Sequence, residues 1–195
     1  MALGNIMTVQ NRSLSSRFQF RLMWSRIKKI STLNREGVLE LKDNKTATGQ
    51  SIAVLVFAAL AIGIGSTVLF EFQHDSVSPY GITVGALQGI ITGCFAALVW
   101  CGTLFLIGTK LFQGKTGFWE LARPMFFASS PALLFILISI PVRYFDSSVA
   151  IVAATWVVVL QGFVLKQVMG FDFRRTILTL TVGFMILLFI YLQFG

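Results

Sequence analysis

Residues 51–70 read SIAVLVFAALAIGIGSTVLF, a run of twenty residues without an acidic or basic side chain. A helix of this length crosses the roughly 30 Å hydrocarbon core of a bilayer. Four further apolar stretches of similar length follow, at 84–108, 125–142, 149–169 and 176–194. Backbone groups inside lipid must be paired within their own segment, so each stretch is predicted to be a helix. The predicted fold is an all-α polytopic membrane protein, a five-transmembrane-helix bundle.

The composition agrees with a membrane protein. Of the 195 residues, 55% are hydrophobic and only 12% are charged, whereas a soluble domain of this size needs far more polar surface. The formal net charge is +8. Because anionic headgroups are the nearest negative partners of a basic membrane protein, we expect contact with lipid headgroups and no nucleic-acid binding.

The distribution of basic residues predicts the orientation. Nine of the sixteen Lys and Arg residues precede residue 51, and only Arg143 falls in a connection on the opposite side of the predicted membrane. Lys and Arg are retained on the cytoplasmic face of membrane proteins. We therefore expect the N-terminus in the cytoplasm and the C-terminus outside.

Residues 18–33, FQFRLMWSRIKKISTL, predict a cytoplasmic N-terminal amphipathic helix. One face carries Phe20, Met23, Trp24, Ile27 and Ile30, and much of the other carries Arg17, Arg21, Lys28 and Lys29. This pattern is typical of a helix in the membrane interface. We therefore divide the chain into a basic segment, 1–50, and a membrane domain, 51–195. A rival interpretation is a targeting peptide, because residues 1–35 contain no acid and are rich in Arg and Ser.

The connection GKTGFWELAR, residues 114–123, is a second candidate docking site on the cytoplasmic side. Thr116 can cap a helical turn whose aromatic residues enter the interface, and Glu120 can pair with Arg123. The alternative is an ordinary re-entry turn. From the two segments we predict partner or lipid contacts at Trp24, Lys28, Lys29, Trp119, Glu120 and Arg123.

Small residues and prolines predict where helices pack or bend. Gly85, Gly89 and Gly93 recur every four residues, which lets a neighbouring backbone approach closely, either within the bundle or in a homo-oligomer. In the third span Pro131 removes a helix hydrogen bond and Pro141 marks the end, so we expect a kink there.

The sequence predicts no enzyme and no cofactor. Motifs for a nucleophile or a phosphate loop are missing, and the single histidine, His74, lacks the further ligands of a metal site. A small oligomeric transporter or channel is the alternative function. Its polar seam between the second and fourth spans would be lined by Gln88, Thr92, Thr155 and Gln161.

Three stretches resemble the Yip1 domain family. They are IGTKLFQGKTGFWELARPMFFASSPALLFILISIP (107–141), KDNKTATGQSIAVLVFAALAIGIGS (42–66) and WVVVLQGFVLKQVMGFDFRRTILT (156–179). The resemblance implies five spans and a cytoplasmic N-terminus, and it is to prokaryotic members, so we expect the plasma membrane of a prokaryote. Eukaryotic members are implicated in binding Rab-type GTPases, an activity that the resemblance does not carry to this chain. We predict a membrane scaffold or adaptor that binds a cytoplasmic partner or anionic lipid.

Overall fold

A computed structural model of the protein describes residues 19–74, 77–140, 142 and 144–194. Residues 1–18, Pro141, Arg143 and Gly195, on which parts of the sequence analysis depend, lie outside this range. The helices are α1 (Phe20–Ser31), α2 (Arg35–Asp43), α3 (Thr48–Gln73), α4 (Pro79–Leu106), α5 (Phe118–Ala128), α6 (Phe145–Met169) and α7 (Phe173–Phe194). Shorter helical pieces precede α3 (Lys45–Ala47), extend α4 (Ile107–Leu111) and continue α5 (Ser130–Ser139). The all-α prediction is confirmed for the described residues.

Four helical segments are long and apolar enough to cross a membrane. They are Lys45–Gln73, Pro79–Leu111, Phe118–Ser139 and Phe145–Met169. Each overlaps one of the first four predicted spans, so the chain is a multi-pass membrane protein. The fifth predicted stretch lies within α7, a helix of 22 residues.

The third span is the innermost helix of the bundle. In Phe118–Ser139, 72% of the most apolar window is buried, against 39% or less in the other three spans. Leu121, Met125 and Phe127 are all fully buried there. The helix also begins at Phe118, earlier than the predicted residue 125. Much of the predicted connector is therefore the first turn and a half of this span.

The third span changes its winding at Ser129, two residues before Pro131. The α-helix α5 ends at Ala128, and a 3₁₀-helix of ten residues runs from Ser130 to Ser139. Pro131 stands in the first turn of that segment, where its missing N–H would have bonded to a carbonyl of the preceding α-helix. The Ala132 amide donates to the Ser129 carbonyl at 2.9 Å. At the position of the kink expected from Pro131, the structure has a switch from α to 3₁₀ geometry.

The predicted small-residue stripe packs within the chain, where α4 crosses α3. A Cβ atom added to Gly89 would lie 2.5 Å from the Gly63 Cα and 2.8 Å from the Ala59 carbonyl oxygen. Gly93 approaches the Ala59 Cβ, and Gly85 approaches the Thr67 side chain. The glycines thus allow two backbones to meet directly, which is the small-residue packing typical of membrane helices.

Candidate functional site

Helices α1 and α2 form an N-terminal hairpin, residues 20–43, that packs on the bundle. Met23, Ile27 and Ile30 of α1 are buried together with Val38 and Leu41 of α2. All five belong to one apolar core that also contains residues of the third span and of α6. Part of the apolar face predicted for the first helix is therefore buried against the rest of the protein. Phe20 and Trp24 of that face remain exposed.

A buried arginine joins α1 to α2 and α3. Arg26 is only 3% exposed. Its Nε and Nη2 atoms both donate to Glu40 Oε1 at 3.0 Å, and Nη1 donates to the Gln50 side-chain oxygen. Lys29 Nζ lies 3.3 Å from Glu40 Oε2. A buried guanidinium is tolerated only when its donors are paired in this way, so the cluster holds the hairpin in one position on α3.

Two opposing effects act on the Glu40 carboxyl. Partial burial alone would raise its pKa, but hydrogen bonds and charge from Arg26 and Lys29 outweigh burial and lower that pKa below its ordinary value. A carboxyl whose pKa falls on folding stabilises the fold above its unfolded-state pKa and loses that contribution as pH falls through its folded-state pKa.

Replacing Glu40 by glutamine is expected to destabilise the protein and to flatten its acid dependence. The change leaves the Arg26 charge without a counter-charge, and we expect a loss of about 2 kcal/mol at neutral pH, less than for a fully buried pair because Glu40 is partly exposed. Thermal unfolding of the purified full chain between about pH 6 and pH 3 measures both effects. The control is Glu36→Gln, at an exposed position on the same helix. Equal acid sensitivity of wild type and Glu40→Gln would contradict the assignment.

A second buried arginine joins the third span to the hairpin. Arg123 of α5 is 5% exposed. Its Nε donates to the Thr48 hydroxyl at 3.0 Å, and Nη1 donates to the Lys42 carbonyl at 2.6 Å and to the Leu41 carbonyl at 3.5 Å. These carbonyls lie at the C-terminal end of α2, where a positive charge is favoured by the helix dipole and by unpaired acceptors. Arg123 therefore has a structural role in place of the predicted surface contact.

Helix α2 acts as a brace between two spans. While Arg123 binds its last turn from α5, the Lys42 ammonium of the same turn donates to the Val168 carbonyl near the end of α6 at 3.3 Å. That carbonyl is in the last turn of its helix, where cations are favoured. The bonds tie the end of α2 to α5 and α6 at once.

The predicted pairing of Glu120 with Arg123 is wrong. The Glu120 carboxylate instead accepts from the Gly117 amide at 2.9 Å and from the Thr116 hydroxyl at 3.1 Å. In this position it caps the first turn of α5, where a negative charge is favoured. Glu120 therefore starts the third span, and this explains why the helix begins before the apolar stretch does.

Four of the predicted contact residues are exposed. Trp24 is 53% exposed and Trp119 is 46% exposed, and Trp119 packs edge-on against Phe118 with ring centroids 5.6 Å apart. Lys28 is exposed, and no ion pair holds it among the described residues. Lys29 is also exposed but is bound to Glu40. Lys28, like the exposed Arg21, is thus a charge without an ion pair among the described residues, on a helix that Arg26 holds in place.

An apolar groove of about 430 Å³ lies between α1, α3 and the 3₁₀ segment, beside the buried contacts of the first helix. Phe20 and Trp24 line it from α1, Phe57 and Ile64 from α3, and Leu133 from the 3₁₀ segment. Trp24 therefore presents its ring to a hydrocarbon-lined cleft, as interfacial tryptophans do.

The four polar residues of the predicted seam do not line a common path. Gln88, Thr92 and Thr155 lie on exposed helix surfaces, and the Thr92 hydroxyl donates to the Gln88 carbonyl of its own helix at 2.7 Å. Gln161 does link the second and fourth spans, because its side-chain oxygen accepts from Trp100 Nε1 at 2.8 Å. This bond is an interhelical contact. It occupies the Gln161 side-chain oxygen, which a permeation path would need for contact with the transported molecule.

Sequence reasoning missed Arg26, Gln50 and Thr48. The signal for Arg26 was present, because it lies three residues after Met23 and four before Ile30, on the apolar face of the predicted helix. A basic residue on such a face indicates a buried ion pair or a capped helix end. Its acceptors, which come from other helices, could be identified only from the fold.

Comparison with known proteins gives a single family. A family model described as the Yip1 domain matches residues 32–194. No curated protein and no solved structure matches the chain. The matched range contains α2, all four candidate spans and α7, so it includes Arg123 and its three acceptors.

Proposed function

This chain belongs to the Yip1 domain family, and from that membership we propose that it is a non-enzymatic membrane scaffold or adaptor. The outer face of the N-terminal hairpin binds a cytoplasmic partner. The observation that carries the proposal is that Arg26 and Arg123 fix the hairpin on the bundle while Trp24 and Lys28 remain outward. A surface held in one conformation binds with a smaller loss of entropy than a free basic tail.

The proposed orientation places this face in the cytoplasm. In its favour is the concentration of basic residues before the first span and in the connections that share its side. We also propose that α7 is the fifth crossing, because 22 helical residues extend about 33 Å and its two arginines, Arg174 and Arg175, stand at its beginning. The membrane proposed is the plasma membrane of a prokaryote.

The exposed residues divide the work of binding. Lys28 supplies long-range attraction to an acidic partner or to anionic headgroups, and each such charge near an anionic surface is worth about 1 kcal/mol. Trp24 and Trp119 supply apolar contact area with an amphipathic ring. Glu120 and Lys29 stabilise this surface through intramolecular bonds, Glu120 to the Gly117 amide and Lys29 to Glu40.

Photocrosslinking in the native membrane tests this function. A photoreactive residue at Ser25, which is exposed and three residues before Lys28 on α1, leaves the proposed contacts in place. We expect it to capture one cytoplasmic protein. Adding Lys28→Glu, which changes the charge by two units, should lower the yield about 30-fold, the equivalent of about 2 kcal/mol.

The control is Lys110→Glu, which reverses an exposed charge at the end of α4 and should leave the yield unchanged. Capture of lipid and other copies of the chain alone would overturn the adaptor role, as would an equal yield with Lys28→Glu. Capture of a protein from the outer compartment would overturn the orientation.

A further inference from the structure

A second groove runs between α6 and α7. Val158, Val159 and Gly162 line it from α6, Ile177 and Leu180 line it from α7, and Lys166 stands at one end. Its volume is about 410 Å³, within the range of roughly 300–1,000 Å³ typical of small-molecule sites. The other five of these residues have hydrocarbon side chains or, at Gly162, no side chain.

The groove has a polar end and an apolar end. A short turn connects α6 to α7, so the end of one helix and the beginning of the other lie side by side. Lys166 and Thr176 are close to that turn, whereas Val158 lies eight residues earlier on α6, about 12 Å away along its axis. A molecule filling the groove therefore meets charge at the turn and hydrocarbon along the rest of its length.

The polar end carries positive charge that is not neutralised by an ion pair. Lys166 is exposed, and within the described part of the chain the two salt bridges both belong to Glu40. Arg174 and Arg175 add two further exposed cations in the first turn of α7. The nearby Asp172 accepts from the Arg175 amide at 3.0 Å, and the Thr176 hydroxyl donates to the Asp172 carbonyl at 2.9 Å. The local balance thus favours an anion.

Two backbone features shape the groove. Gly162 has no side chain, and a Cβ atom there would lie 3.3 Å from the Leu180 Cδ1 atom across the groove. Leu33, in the turn of the hairpin, lines the same groove with a left-handed φ of 56°. A leucine in this conformation costs on the order of 1–2 kcal/mol relative to its ordinary backbone. The hairpin therefore adds an apolar wall at a position where glycine would be less strained.

We propose that this groove binds one anionic glycerophospholipid of the surrounding bilayer. One acyl chain lies against Gly162 between α6 and α7, and the phosphate binds the Lys166 ammonium at the membrane interface. The inference goes beyond the adaptor role, because it concerns other residues and requires no cytoplasmic partner. Lysine at the end of a membrane helix extends its stem along apolar surface and places its charge at headgroup level, which matches this geometry.

Native mass spectrometry of the intact protein, exchanged into detergent with phosphatidylglycerol or phosphatidylcholine, tests the site. We expect one phosphatidylglycerol to be retained in preference to phosphatidylcholine. Lys166→Gln should weaken that preference about fivefold. Gly162→Leu should abolish retention of either lipid, because the leucine fills the space of the acyl chain.

Matched controls are Lys110→Gln, an exposed lysine at the end of another span, and Gly102→Leu, a glycine with no atom within 4 Å of an added Cβ. Both should bind as wild type. Unchanged retention in Gly162→Leu with an unchanged unfolding temperature would overturn the site. Loss in Gly162→Leu with full preference in Lys166→Gln would overturn the anionic headgroup assignment. Crosslinking at Ser25 is a separate readout, so failure of the adaptor role and failure of the lipid site are distinguishable.

Discussion

Replacing Arg123 by methionine is expected to release the N-terminal hairpin from the bundle. Methionine fills a similar volume but leaves the Leu41 and Lys42 carbonyls and the Thr48 hydroxyl without their donor. Buried acceptors left unpaired cost about 1–3 kcal/mol each, and we expect a total loss of about 3 kcal/mol because some of them can reach water. For a chain of this length that lowers the unfolding temperature by about 8 °C.

Two readouts separate loss of the hairpin from loss of the whole fold. Thermal unfolding of the purified full chain gives stability, and brief trypsin digestion gives the exposure of the peptide bonds after Lys28 and Lys29. Cleavage there should accelerate in Arg123→Met below the unfolding temperature. Arg123→Lys should be intermediate, because a single ammonium cannot reach all three acceptors in the same geometry. Arg175→Met, at an exposed position, is the matched control, and equal behaviour of the two methionine variants would contradict the brace.

Gly89→Ala is expected to push α3 and α4 apart where they pack against each other. The added methyl group would lie 2.5 Å from the Gly63 Cα and 2.9 Å from the Gly63 nitrogen. Backbone atoms cannot rotate away as a side chain can, so α3 and α4 must move apart. Overpacking of this kind costs about 1–3 kcal/mol, and we expect an unfolding temperature lower by about 5 °C.

The same substitution at Gly102 provides the control for Gly89. Gly102 lies on the same helix, α4, with no atom within 4 Å of an added Cβ. Gly102→Ala should be neutral or slightly stabilising because alanine has the higher helix propensity. The comparison is made by thermal unfolding of the full chain in one detergent. Equal unfolding temperatures for the two variants would show that the close approach at Gly63 does not limit stability.

Patterns within single segments were sufficient to predict much of the architecture. Apolar runs of eighteen residues or more identified the four candidate spans, because every backbone polar group in lipid must be paired within its own segment. Pro131 identified the irregular part of the third span, since a missing donor acts within one turn. Both predictions depend only on residues close in sequence. For that reason they agree with the folded structure.

The site was harder to predict because the bonds of Arg26 and Arg123 join distant segments, and because a helix start competes with Arg123 for the Glu120 carboxylate. Glu120 and Arg123 are three residues apart, so local reasoning paired them, yet each finds better partners elsewhere. Glu120 meets unpaired amide donors at its own helix start, and Arg123 meets unpaired carbonyls at the end of α2, 81 residues away in sequence at Lys42. Helix ends compete strongly for charged side chains, and which end lies nearby is a property of the tertiary fold.

The ten-residue 3₁₀ segment makes the innermost helix longer than an α-helix of the same number of residues. A 3₁₀-helix rises about 2.0 Å per residue and an α-helix about 1.5 Å, so rewinding Ser130–Ser139 into α geometry would shorten the span by about 5 Å. That is the size of the difference in hydrocarbon thickness between thin and thick cellular membranes. The central span therefore reaches about 5 Å further across the membrane than the same residues would in α geometry.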